Sequence, residues 1–108
     1  MTVTELSQKD GFSAVHIADG QRAIEGAYCG DLLSWVMGRA QCGDAWITIM
    51  SNINVVAVAS LSDVACVILA EGVKLDADAL SAAQQKDINV LSSDKSAYQI
   101  AVTLGELL

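Results

Sequence analysis

Apolar residues fall along this chain in short blocks whose period switches between helical and extended, with glycines between the blocks. Residues 2–9 predict a short opening helix, capped by Thr2 or Thr4 and stopped near Gly11. Residues 12–17 have the aromatic and β-branched content of a strand, and residues 23–28 predict a second one. Asp31 is then placed to cap a helix over residues 32–39, with Leu32, Trp35 and Val36 as its apolar face.

From Ala45 onward the pattern becomes a regular alternation. Residues 45–50 read as a strand, and Ser51 and Asn52 as the cap of a helix over 53–61. The run from 64 to 70 is continuously apolar and of strand length, which marks a strand covered on both faces at the centre of a parallel sheet. After a turn over 72–75, Asp76 is placed to cap a helix reaching Lys86, and residues 88–91 supply a further strand. Ser96 opens a last helix whose Ala97, Ile100, Ala101, Leu104, Leu107 and Leu108 recur at three- and four-residue steps. The fold class this predicts is α/β, a small, mostly parallel sheet with flanking helices, the first third adding an irregular or antiparallel strand.

The helix over 53–61 departs from the usual pattern: Val55, Val56, Ala57, Val58 and Ala59 make it apolar nearly all round. Such a helix is either wholly a core element or half covered by a second copy of the chain, and in the second case Trp35, Val55, Val56 and Val58 form a homodimer interface.

Composition narrows the function classes. The chain has 108 residues, the size of one domain, and 53% of them are hydrophobic against 18% charged, so it can bury a real core. Thirteen acidic residues outweigh six basic ones for a formal charge of −7, and no basic patch could neutralise a phosphate backbone, which excludes nucleic acid as an expected partner. The first residues lack a basic region followed by an apolar run, and the apolar stretch 55–70 is interrupted by Ser60, Ser62 and Asp63; neither a signal peptide nor a membrane span is expected, and the expected location is cytoplasmic. Cys29, Cys42 and Cys66 lack the close pairing of zinc or iron–sulfur ligands, and no metal or cofactor is expected.

Candidate chemistry is sparse. No glycine is followed by lysine, so the phosphate loop of nucleotide kinases is absent, and Gly26 and Gly30 do not make the three-glycine dinucleotide fingerprint. His16 is the sole histidine, with no Ser or Cys beside it in its strand, and Asp31, Asp44 and Asp63 read as caps or turn residues. Two strand-to-helix turns remain as candidate ligand sites: one carries Gly26, Tyr28, Gly30 and Asp31, the other Thr48, Ser51 and Asn52. Each delivers backbone amides to a helix start where a small anion or nucleotide can sit, with Arg22 and Arg39 as nearby cations.

The residues at these turns carry a family resemblance. Residues 21–37, then 43–49, 54–59 and 65–72, resemble in content and spacing the DRTGG domain family, small α/β modules related to the N-terminal domain of HPr kinase/phosphorylase, over nearly the full length. Gln21-Arg22 stands where the family has Asp-Arg, and Ile24-Glu25-Gly26 where Thr-Gly-Gly would fall. The resemblance implies an HPr kinase N-terminal-domain-like fold and a regulatory or dimerising module, found in larger proteins beside nucleotide-sensing CBS domains or ahead of a kinase domain missing here. It does not imply kinase activity. Stand-alone members resemble accessory proteins, some near redox enzymes such as iron-only hydrogenases, so a protein–protein interaction domain without a small-molecule ligand is the competing expectation.

Overall fold

The computed structural model describes residues 1–108. The elements in chain order are α1 (Val3–Ser7), β1 (Ser13–His16), β2 (Gly26–Cys29), α2 (Leu33–Arg39), β3 (Asp44–Thr48), α3 (Ile53–Ser62), β4 (Cys66–Leu69), α4 (Ala77–Lys86), β5 (Val90–Ser92) and α5 (Ala97–Leu107). One five-stranded sheet has the order β1-β5-β4-β3-β2. Strands β2 to β5 run parallel, and β1 closes the far edge antiparallel to β5 with a register shift between Ala14 and His16. This is the expected α/β class, and the apolar run at 64–70 is its centre: all four residues of β4 are buried.

The topology assigns each helix a face. Because β2, β3, β4 and β5 are consecutive in both sequence and space, right-handed crossovers put the three connecting helices on one side. There Val36 of α2, Val55, Val56, Val58 and Ala59 of α3, and Ala79 and Ala83 of α4 pack on Trp46, Val67, Leu69 and Val90. On the other side Val3 and Leu6 of α1 and Ile100 and Leu104 of α5 pack on Ala45, Ile47, Cys66, Ile68 and Leu91. The two-residue alternation along β3, β4 and β5 is what sends neighbouring residues into these two separate cores.

Local chemistry starts the helices at both ends of the chain. Thr2 and Glu5 form a capping box on α1, and Ser96 and Gln99 form one on α5. Asn52 caps α3 by accepting from the Asn54 N–H.

Three expectations are corrected. β2 begins at Gly26 rather than residue 23, because α1 takes the preceding residues: the Val3 N–H donates to Arg22 O, the Ile24 N–H to Met1 O, and Ala23 makes only an isolated bridge with Thr2. β2 joins the parallel sheet, and the irregular or antiparallel strand expected in the first third is β1. Asp31 does not cap α2, and Asp76 holds the N-cap position of α4 as expected but without a side-chain cap bond; Leu32 occupies the α2 cap position, also without a side-chain bond, and Leu32 and Trp35 are exposed while Val36 alone is buried. Finally, Val55, Val56 and Val58 lie inside the chain's own core and present no surface to a second copy. Of the four residues expected at an interface, only Trp35, 56% exposed, is free to make one. No helix is long and apolar enough to cross a membrane.

Candidate functional site

The carboxyl edge of the parallel strands collects the starts of α2, α3, α4 and α5, since each helix follows one of those strands. Tyr28, Gly30, Asp31, Thr48, Ser51 and Asn52 all lie along it, at the ends of β2 and β3. They are occupied with one another. Asp31 Oδ1 accepts from the Thr48 hydroxyl at 2.8 Å and from the Ile49 N–H at 3.0 Å, and Thr48 Oγ1 accepts from the Met50 N–H. The Trp46 indole N–H donates to Gly30 O at 2.8 Å, a Cβ on Gly30 would stand 2.9 Å from the Tyr28 ring, and the Ser51 hydroxyl donates to Asp76. These bonds lock β2 to β3 where a chain end would otherwise fray, and no cleft is lined by any of these six residues.

Gly26 and the two arginines sit at the opposite, amino edge. Gly26 starts β2 against the Asp44 carboxylate. Arg22 pairs with Asp63 at 3.1 Å and donates to Asp63 O at 2.8 Å, while the Cys42 thiol donates to the other Asp63 oxygen at 3.1 Å. Hydrogen bonds from Cys42 and Arg22 hold the Asp63 carboxyl below its ordinary range, and the same bond to Asp63 pushes the Cys42 thiol up. Burial works against the Arg22 charge, but Asp63 outweighs it and raises the guanidinium. Arg39 stacks 3.7 Å from the Trp35 ring centroid. Neither arginine therefore supplies charge to the β2 and β3 turns. The cleft that Arg22 and Asp63 line, about 280 Å³, also holds Asp19, Lys86, Asp87 and Asn89, and the Asn89 amide is fully engaged across it.

Groups that could act as nucleophiles are muted. Burial pushes the Cys66 thiol up to about 12, and partial burial of the sulfur followed by the Asp31 charge raises Cys29. The His16 Nε2 is buried without a hydrogen-bond partner, so no nucleophile is paired with it.

The concave surface at the carboxyl edge lies instead where β4 meets β5. Helix α4 leaves β4 for one face of the sheet and α5 leaves β5 for the other, so the two adjacent loops diverge: this is a topological switch point. The loops are stitched together below the opening, the Glu71 N–H donating to Lys95 O and the Gly72 N–H to Ser93 O. Glu71 and Gly72 both have positive φ, 61° and 71°, which turns the chain sharply enough to make these bonds. Beside them a cleft of about 300 Å³ is walled by Val15 of β1, Val73, Leu75 and Leu80, with Lys74, Ser92 and Asp94 as its polar lining. A smaller cleft, about 180 Å³, shares Ser92 and Asp94 and adds Gly11, Phe12 and Lys95. Lys74 and Lys95 are in ion pairs with no carboxylate; the Lys95 ammonium lies 5.8 Å from the Phe12 ring.

None of these residues was singled out by the sequence. The turn at 72–75 is legible there, but the divergence of α4 and α5 is not. Gly72→Ala is expected to cost about 1 kcal/mol or more, because the new Cβ meets Asp94 Oδ1 at 3.1 Å and alanine is strained at this φ. The midpoint of urea unfolding measures it, and an unchanged midpoint would mean that the loop does not hold this turn.

No protein-family model matches the sequence, and no curated protein matches it. Among solved structures, the chain is similar to the CBS and DRTGG domains of the regulatory region of Clostridium perfringens pyrophosphatase, determined in complex with its activator diadenosine tetraphosphate. The likeness covers 86% of this chain with a TM-score of 0.66 at 15% identity, and so is a likeness of fold. This chain spans 40% of the length of that one.

Proposed function

We propose that this chain is a single DRTGG-like regulatory module, without catalytic activity, that works as a homodimer and senses a small nucleotide-class ligand at the β4–β5 cleft. The observation that carries the ligand reading is the cleft itself. An apolar wall of Val15, Val73, Leu75 and Leu80 suits the face of a base, and two lysines free of carboxylate partners, Lys74 in this cleft and Lys95 in the adjoining one, are available for phosphate oxygens. At about 300 Å³ it sits at the lower end of the range of small-molecule sites, roughly 300–1,000 Å³. The regulatory region of similar fold binds a dinucleotide activator, which favours the nucleotide class over a bare anion. Asp94 and the net charge of −7 oppose phosphate, so the attraction has to come from the lysines, and that part of the affinity weakens as salt screens it.

Thermal unfolding against mono- and dinucleotides and inorganic phosphate tests this reading. A ligand at a hundred times its dissociation constant adds about 2.7 kcal/mol, a rise of about 10 °C for a chain of this size. The rise should disappear in Lys74→Glu, whose exposed side chain leaves the unliganded melt unchanged. If no nucleotide shifts the wild-type melt, the sensing role is wrong.

A second reading rests on a separate observation. Leu32, Trp35, Met37, Ile49, Ile53 and Leu61 are all exposed, and all belong to α2, α3 or their approaches. This end of the molecule suits an interaction module that needs no small ligand, and binding that is indifferent to nucleotide would favour it.

A further inference from the structure

The two edges of the sheet are built differently. β1 is blunted by the register shift between Ala14 and His16, a common defence against edge-to-edge pairing. β2, Gly-Ala-Tyr-Cys, pairs in unbroken register with β3 and carries no charge, no proline and no bulge. The Gly30 N–H donates inward to Ile47 O, so the two-residue alternation turns the Ala27 and Cys29 N–H groups outward to the free side.

Apolar side chains flank that open edge on both faces. Leu32 and Trp35 are exposed on α2, and Tyr98 and Val102 are exposed on α5, which packs over β2 and β3. Charge separates this end from the rest of the chain. Between residues 32 and 62 the only charged side chains are Arg39, stacked on Trp35, and Asp44, which is buried; outside that segment, the exposed Glu25 and Asp31 stand at the two ends of β2.

From these features we infer that the free edge of β2 pairs antiparallel with β2 of a second copy, making one continuous ten-stranded sheet across a twofold axis. An antiparallel pair of identical strands is self-complementary, as a twofold interface requires. A copy of a chain of charge −7 meets least repulsion along the acid-poor α2 and α3 side beside this edge, with Glu25 and Asp31 at the strand ends as the acids it must pass. The exposed Leu32 and Trp35 are then covered as the core covers Val36. This inference rests on the dimerising part of the function proposed above and is independent of its ligand part.

Sedimentation equilibrium from micromolar to hundreds of micromolar protein tests it, alongside tryptophan emission. Trp46 is wholly buried, so any change in emission on dilution reports Trp35. A dimer is expected, with Trp35 emission moving red on dissociation. Ala27→Pro removes an outward N–H without touching the β2–β3 ladder, and Trp35→Glu adds a like charge beside it. Each variant, checked for folding by circular dichroism, should dissociate at least tenfold more readily. A wild type that is monomeric throughout overturns the proposal. So does a dimer that survives Trp35→Glu, or one that survives a folded Ala27→Pro, since either places the contact elsewhere. A failed nucleotide titration leaves these readouts unaffected.

Discussion

Trp46→Ala is expected to lower stability by about 3–5 kcal/mol, the largest effect of any single truncation in this chain. The side chain is wholly buried on β3, in the core beneath α2 and α3, and is the bulkiest of the fully buried residues. Two losses combine. The cavity left behind is lined by helices and sheet that can close only in part, and Gly30 O loses the indole N–H that holds it at 2.8 Å. Trp46→Phe separates them: it keeps most of the packing and forfeits the hydrogen bond, for a cost nearer about 1 kcal/mol. With total stabilities of about 5–15 kcal/mol for domains of this kind, the alanine variant should be close to unfolding at room temperature. Chemical denaturation checks both variants. If Trp46→Phe proves as damaging as Trp46→Ala, the bond to Gly30 outweighs packing and the cavity is the smaller of the two losses.

Trp46 also shows which parts of the fold could be read from the sequence. The capping boxes at Thr2 and Ser96, the apolar run through β4 and the spacing of Ile100 and Leu104 are local signals, and the structure follows them. The misplaced features depend on residues distant in sequence. Asp31 looks like a cap, yet its carboxylate has a better partner in Thr48, brought alongside by the β2–β3 pairing. Residues 23–25 look extended enough for a strand, but the backbone of α1 reaches them first. The all-apolar α3 left open a choice between core and interface. The structure places Val55, Val56 and Val58 in the chain's own core, between the sheet and the neighbouring helices α2 and α4.

The candidate site followed the same division. Its polar turn residues at β2 and β3 were legible because caps and turns have a local vocabulary, and six of the eight expected ligand residues do share the carboxyl edge. Arg22 and Gly26 fall at the other edge because β2 runs the length of the sheet between Gly26 and Gly30, so a stretch that looks like one turn in sequence has its ends on opposite sides. The cleft at β4 and β5 depends on which face each helix takes after its strand, a property of topology that no window of sequence contains.

Asn89→Ala should cost about 2–4 kcal/mol, and it acts on the segment that makes this topology possible. The link from β1 to β2 must cross the whole amino edge of the sheet, and Asn89 pins it midway. Asn89 Oδ1 accepts from the Ala18 and Asp19 N–H groups at 2.7 and 2.9 Å, while Nδ2 donates to Asp19 O at 2.9 Å and Ala65 O at 3.0 Å. All four bonds vanish together in the alanine variant, and unsatisfied buried groups cost about 1–3 kcal/mol each. Water from the adjoining cleft can reach the Asp19 side, which holds the total to the lower part of that range. The segment's other fastenings lie further along, in backbone bonds of residues 20–24 to Met1, Val3 and Thr4 and in the exposed Arg22–Asp63 pair, worth no more than about 1 kcal/mol, and none of them holds Ala18 or Asp19. Hydrogen exchange locates the effect: the Ala18 and Asp19 amides should lose protection well before those of β3 and β4. Uniform loss of protection across the sheet would instead mean that Asn89 supports the core as a whole and not the crossing segment.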